Sequence, residues 1–329
     1  DTTLVYTSQQ LIEAIADAND GAVITLAPGT YDGNIRFDGK SLTIKAQYPA
    51  NPEDGETPDD LLSVFTGTFN TSEGTGDDAF QEDQCVIIDG IAFEGDGLKV
   101  GSTNYNTVGE LIVKNCTMVC GKNLVKADNY NKYNYFVKVS GNAGAPYAKV
   151  TVFHNNVTGT PDDLVTPIQL WDVYVANVSD NMIVLNDAEG HQAINISKMA
   201  ENATVIVEDN VIANATGGIY VTTWLLGGTG ECAFTGDIDV VDNDMFDVDT
   251  PIYIGYEEST EPYGSLDASC SIADENNTNN GEPVVADIIQ KPGEAPVTYV
   301  VTVKDGQSIV DMRSVVAGSE YKPPAAPSK

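Results

Sequence analysis

Asp180-Asn181-Met182, Ile194-Asn195-Ile196, Asp209-Asn210-Val211, Ile219-Tyr220-Val221, Asp242-Asn243-Asp244, Ile252-Tyr253-Ile254: these six tripeptides, read in order, alternate two signatures along residues 180–254. The first signature suits a tight corner between two strands, because Asn tolerates left-handed backbone and its amide can bond to another Asn stacked beside it. The second, apolar at both ends with a polar or aromatic centre, reads as a short strand with two inward residues and one outward. A pattern that returns in fixed order is the mark of a solenoid, where each coil reuses the same side-chain position.

Working outward, the first ladder extends back to Lys114-Asn115-Cys116 and Asn155-Asn156-Val157, with Gly90 before Ile91 in the same slot. The second extends back to Leu98-Lys99-Val100, Val137-Lys138-Val139 and Ile168-Gln169-Leu170. The spacing is unequal, so extra residues go into projecting loops, notably 47–84 and 121–133. Cys116, Val157, Met182 and Val211 are expected to form one inward column, which Asp244 would break, leaving a frayed last coil. The fold class this predicts is all-β, a right-handed parallel β-helix. The first 20 residues read as a capping helix: Thr7 or Ser8 caps it, and Leu11, Ile12 and Ile15 form its apolar stripe.

Short alternating strands follow at 22–31, 34–37 and 41–45. A capping helix, then Ile24-Thr25-Leu26-Ala27-Pro28-Gly29-Thr30-Tyr31, then a strand from Gly39 to Ile44, resembles the N-terminal coil of the pectate-lyase-like β-helix superfamily. After about Glu282 the text turns Pro-rich, Lys291-Pro292-Gly293-Glu294-Ala295-Pro296, and reads as a linker. The tail from Tyr299 to Lys329 resembles the first half of an internalin-B-type (Listeria–Bacteroides) surface repeat. The expected division is a β-helix domain over 1–283, a linker over 284–296 and a partial surface repeat over 297–329. The start, Asp1-Thr2-Thr3-Leu4, fits a processed export product, and the fold and tail together imply an extracellular or cell-surface location.

Sixteen Lys and Arg against 49 Asp and Glu give a net charge of −33. That field opposes nucleic acid and anionic lipid surfaces, so neither is an expected partner. No apolar run approaches the roughly 20 residues a membrane helix needs. Five scattered cysteines, Cys85, Cys116, Cys120, Cys232 and Cys270, lack metal-site spacing and read as small core residues. Sequons at Asn115, Asn156, Asn177, Asn195, Asn202 and Asn214 are what Asn turns beside Thr and Ser strands produce.

Function is sought on the outward positions of the second ladder, which stacked coils about 4.8 Å apart assemble into a flat face. Those positions are Lys99, Lys138, Gln169, Asn195, Tyr220 and Tyr253, with Trp171 two residues beyond Gln169. By strand order this face corresponds to the sheet that lines the substrate cleft in the resembling lyases and hydrolases. Aromatic faces, amides and hydroxyls suit a polysaccharide or surface glycan. Lys99 and Lys138 are expected on neighbouring coils, where paired ammonium groups would ease deprotonation of one for proton abstraction beside a uronate carboxylate. Against this, Arg36 and Arg313 are the only arginines, and neither is expected on the face. A glycosidase would need two carboxylates. Asp187 and Glu189, with His191, precede the Ile194 strand, Asp162 and Asp163 border the strand before, and these are the candidates. Asp237, Asp239, Asp242 and Asp244, with Asp247 and Asp249, form the densest acidic run and would suit calcium, although no cofactor is required by the pattern. Tyr130, Tyr133 and Tyr135 belong to a polar-aromatic loop that suits sugar. The leading expectation is non-catalytic glycan recognition or adhesion by the exposed face, and the alternative is a polysaccharide lyase or glycoside hydrolase.

Overall fold

The computed structural model describes residues 2–37, 39–71, 83–101, 109–120, 134–140, 147–159, 166–171, 173–197, 202–222, 233–256, 265–267, 269–289, 298–305 and 308–316. Backbone only is described at 120, 140, 147, 186–191, 233, 265 and from 298 onward.

The chain winds as a right-handed parallel β-helix with three strand positions per coil. The first sheet runs from Thr2–Val5 and Ala22–Leu26 through Leu42–Ala46, Cys85–Asp89, Glu110–Lys114, Tyr147–Phe153, Val173–Ser179, Thr204–Glu208 and Asp237–Val241 to Ser271–Glu275. Thr298–Asp305 adds to it in parallel, and Ser308–Val316 closes it antiparallel. The second sheet holds Gly29–Tyr31, Ser63–Phe65, Ala92–Gly95, Thr117–Cys120 and Asn156–Thr158. The third holds Asn34–Arg36, Thr68–Asn70, Leu98–Gly101, Tyr135–Ser140, Ile168–Trp171 and Asp287–Ile289. In the later coils Met182–Ser197, Val211–Thr222 and Asp244–Gly255 each run through both sheets.

One face of every strand is apolar and stacks on itself from coil to coil. In the first sheet Ile24, Ile44, Ile88, Val113, Val152, Val178, Val207 and Val240 form one buried column. β-Branched side chains suit such a surface because their few rotamers pack well against neighbours on the pleat. At about 25 cal/mol per Å² of apolar surface removed from water, this repeated burial drives the winding. Phe65 and Phe69 stack within the N-terminal coils, with Phe93 edge-on to both. The helix Ser8–Asp17, capped by Thr7 Oγ1 accepting from Gln10 N, covers this end with Leu11 and Ile15. Ile12 is exposed, and Thr2–Val5, expected within the helix, is a strand.

The Asn ladder is real, and its register is one residue away from the sequence reading at three coils, those of Gly90, Asn115 and Asn156. Its rungs are Asn155, Asn181, Asn210, Asn243 and Asn277, all buried. Each carboxamide Nδ2 donates to the next rung's Oδ1 at 2.9 Å, and each backbone N–H to the same oxygen. Cys116, not Asn115, occupies the preceding rung, with its N–H bonded to Asn155 Oδ1. Asn115 instead joins Gly90, His154, Asp180, Asp209, Asp242 and Asn276 in a column of left-handed residues. Gly90 and Asn are at home there because that region costs them least.

This register also corrects the inward column. Met118, Val157, Ile183, Ile212 and Met245 pair and point inward, whereas Met182, Val211 and Asp244 share the outward row. Met182 is accordingly 44% exposed. Asp244 therefore breaks nothing, and a further coil with Asn277 follows the one expected to be frayed. Residues 47–84 include the strands Ser63–Phe65 and Thr68–Asn70 of a full coil. Asp287–Ile289, inside the expected linker, pairs with the third sheet. Cys116 and Cys270 are buried and Cys85 half-buried, all three as free thiols, and burial pushes Cys116 up to about 12. Among the described residues no helix is long and apolar enough to cross a membrane.

Candidate functional site

The third sheet carries one outward column through nine coils. In order it reads Arg36, Asn70, Gly101, Lys138, Gln169, Asn195, Tyr220, Tyr253 and Asp287. Five of the seven binding residues expected from sequence, Lys138 through Tyr253, stand in this column, and Trp171 lies two residues along the strand from Gln169.

Lys99 does not. Val100 pairs with Val137 and Gly101 with Lys138, so the two lysines are not lateral neighbours. Lys99 is fully buried, with Nζ donating to the carbonyls of Asp96 at 2.9 Å and Thr66 at 3.1 Å. The two Leu/Val-Lys-Val triplets align in sequence, but the strands pair with a displacement of two residues. Gly101 makes that displacement feasible: its φ is +131°, and a Cβ there would collide with Lys138 O. The pair of laterally neighbouring lysines expected on the face is therefore not formed. Arg36, expected off the face, is on it.

Lys138 sits among aromatic rings. Its Nζ lies 4.3 Å from the centroid of Tyr135 and 5.6 Å from that of Trp171, in range for cation–π attraction. Trp171 Nε1 donates to Asn195 Oδ1 at 3.2 Å, and Ser197 Oγ contacts the same oxygen at 3.4 Å. With its carbonyl engaged, Asn195 presents its NH₂ to an acceptor on a ligand. Gln169 Oε1 lies buried without a hydrogen-bond partner. Tyr220 and Tyr253 stack at 5.2 Å and 15°, and Tyr253 Oη donates to Tyr256 O. Gly217 leaves room for the Tyr220 ring, since a Cβ there would sit 2.7 Å from Cε2. The column thus combines a cation, fixed amides and fixed rings, the groups that bond sugar oxygens and pack on sugar C–H faces.

Asp187, Glu189 and His191 fall in the irregular corner between the second and third sheets, where the pairing shifts at Val184/Ala188 and Ala188/Gln192. Their side chains lie outside the described residues, as do Tyr130 and Tyr133. Tyr135, by contrast, is a buried strand residue beneath Lys138.

The acidic run is spread around a corner. Asp237 and Asp239 belong to the first sheet, Asp242 to the left-handed turn and Asp244 to the second sheet. Asp242 and Asp244 accept from Asn276 and Thr278. Burial, then Asp237 and Glu275, hold the Asp239 carboxyl above the usual range. Among the described residues no three His, Cys, Asp or Glu side chains are gathered to hold a metal ion.

No protein-family model matches the chain, and no curated protein matches it in sequence. Its fold is similar to that of a point mutant of the PL6 family alginate lyase AlyGC, with a TM-score of 0.52 at 12% identity. The alignment covers 92% of this chain and 39% of that one, so the protein spans well under half of that lyase's length. AlyGC itself gives a TM-score of 0.49 at 13% identity over the same shares, 92% and 39%. An alginate lyase from Paenibacillus sp. str. FPU-7 gives 0.35 at 13% identity, covering 88% of this chain and 98% of that one. At such identity the first likeness establishes the architecture: this chain has the parallel β-helix fold of a PL6 alginate lyase.

Proposed function

We propose that the protein is an extracellular or cell-surface polysaccharide lyase that engages an acidic polysaccharide along the third sheet. The observation that carries this reading is the outward column, where Lys138 stands among aromatic rings and Arg36 shares the column with it, on a chain of net charge −33. Two cations on this face provide local attraction to carboxylates, against a long-range field that repels them. Lys138 is the group assigned to a uronate carboxylate. Neutralising that carboxylate makes the adjacent C5–H acidic enough for a base to remove, after which the electron pair forms the C4–C5 double bond as the C4–O glycosidic bond breaks and its oxygen leaves protonated. The fold shared with an alginate lyase favours this reading over binding alone.

A second reading, recognition without cleavage, draws on the rigidity of the face. Trp171, Ser197 and Asn195 hold one another, and Tyr220 packs on Tyr253, as a binding platform requires. One experiment separates the two. Purified protein is incubated with polyuronates, with and without calcium, while ultraviolet absorbance follows unsaturated uronate ends and titration calorimetry follows binding. Product formation supports the lyase, and binding without product in either condition supports the second reading. The absence of both refutes the assignment of this face to acidic polysaccharide.

A further inference from the structure

The outward column of the third sheet changes character along its length. Its N-terminal half carries Arg36 and Lys138, and Lys122, Lys126 and Lys132 precede the Lys138 strand in sequence. Its C-terminal half carries Tyr220, Tyr253 and then Asp287. The contrast holds for the whole chain there: from Met199 to Gln290 the sequence contains 18 Asp and Glu and no Lys, Arg or His.

We infer that this face takes a mixed polysaccharide, with an anionic sugar at the Lys138 rung and uncharged sugars over Tyr220 and Tyr253. The inference rests on the reading that the third sheet binds acidic polysaccharide, and it narrows the substrate class. Tyr220 is three rungs from Lys138, about 14 Å at the spacing of stacked strands. That exceeds the Debye length of about 8 Å at physiological salt, so Lys138 does not compensate a carboxylate placed there. Asp287 is one rung beyond Tyr253, about 4.8 Å along the axis. A uronate on the tyrosines would meet that carboxylate and the surrounding acidic field, and among the described residues no Lys or Arg stands in the column beside the two rings. A neutral sugar meets neither penalty and gains contact with the rings, which the stacking of Tyr220 on Tyr253 and the Tyr253 to Tyr256 hydrogen bond hold in place.

The test compares polygalacturonate with deacylated gellan, in which a uronate recurs among neutral sugars, by titration calorimetry on the full chain. Gellan is expected to bind more tightly. The double substitution Tyr220→Ala with Tyr253→Ala should weaken gellan about tenfold and leave polygalacturonate unchanged. Far-ultraviolet circular dichroism and the melting temperature of the double variant, compared with the wild-type chain, serve as the folding control. Lys138→Ala should weaken both polymers. If polygalacturonate binds as tightly as gellan and is lost with the tyrosines, the face is uniformly anion-selective and the mixed-chain inference is wrong, while the acidic-polysaccharide reading survives. The mixed-chain inference is equally wrong if the double variant changes neither polymer. If neither polymer binds the wild-type chain, the underlying reading fails and takes this one with it.

Discussion

Asn155→Ala and Asn156→Ala, two changes at adjacent residues, should have very different costs. The Asn155 carboxamide makes four hydrogen bonds: Nδ2 donates to Val113 O at 3.1 Å, Phe153 O at 2.9 Å and Asn181 Oδ1 at 2.9 Å, and Oδ1 accepts from Cys116 N at 2.9 Å. Alanine strands the buried Cys116 N–H and takes a donor from two carbonyls. A buried group left without its partner costs about 1–3 kcal/mol. One stranded donor and three weakened acceptors, Asn181 Oδ1 among them, therefore put the loss at about 2–4 kcal/mol. Asn156 points outward beside Thr117 and Met182 and belongs to the half-exposed row, so its truncation should cost less than about 0.5 kcal/mol. Urea unfolding followed by far-ultraviolet circular dichroism gives both numbers, and hydrogen exchange should show the Cys116 amide losing protection only in Asn155→Ala. Equal losses, or a larger loss for Asn156→Ala, would refute the register and the stacking of amides with it.

Gly101→Ala should lower stability by several kcal/mol, because its φ of +131° disfavours a side chain and the new Cβ would collide with Lys138 O; thermal melting measures this. Asp274 follows Val240 in the inward column of the first sheet, and it accepts from Asn277 Nδ2 and Ala286 N, serving as the acceptor that a further Asn rung would supply. Burial raises its pKa from 3.8 to about 6, so the folded state holds the proton more tightly than the unfolded chain. The stability this contributes is complete below about pH 3.8 and is lost as pH rises through about 6, a difference of about 3 kcal/mol. Wild type minus Asp274→Asn, measured by urea unfolding between pH 4 and 7, should follow that curve, and a flat difference would contradict it. Trp171→Phe keeps an aromatic ring near Lys138 but removes the N–H from Asn195, so acidic-polysaccharide affinity should fall severalfold while the melting temperature holds. Lys138→Ala should remove part of the salt dependence of that binding, and an unchanged salt response would take Lys138 off the contact face.

The parts of the fold that were legible in the sequence are those set by local pattern. The period-two alternation, the recurring Asn corners and the triplets from Val137 to Ile254 specify a solenoid and its outward column, because in a stacked-coil fold every coil faces the same packing constraint. Five of the seven residues placed on the candidate face follow from that pattern alone. What the sequence left open is lateral register where two readings fit equally well. Asn155 and Asn156 both look like a rung, and only the neighbouring coils decide which amide stacks inside. Leu98-Lys99-Val100 has the form of its neighbour at 137–139, yet the pairing of Gly101 with Lys138 buries Lys99 and removes a lysine pair on which proton abstraction was to depend. Arg36 and Asp287, which resemble nothing in the repeated triplets, enter the column only through strand pairing. Local chemistry determines that the chain coils, whereas contacts between residues some 30 positions apart decide which side chains meet.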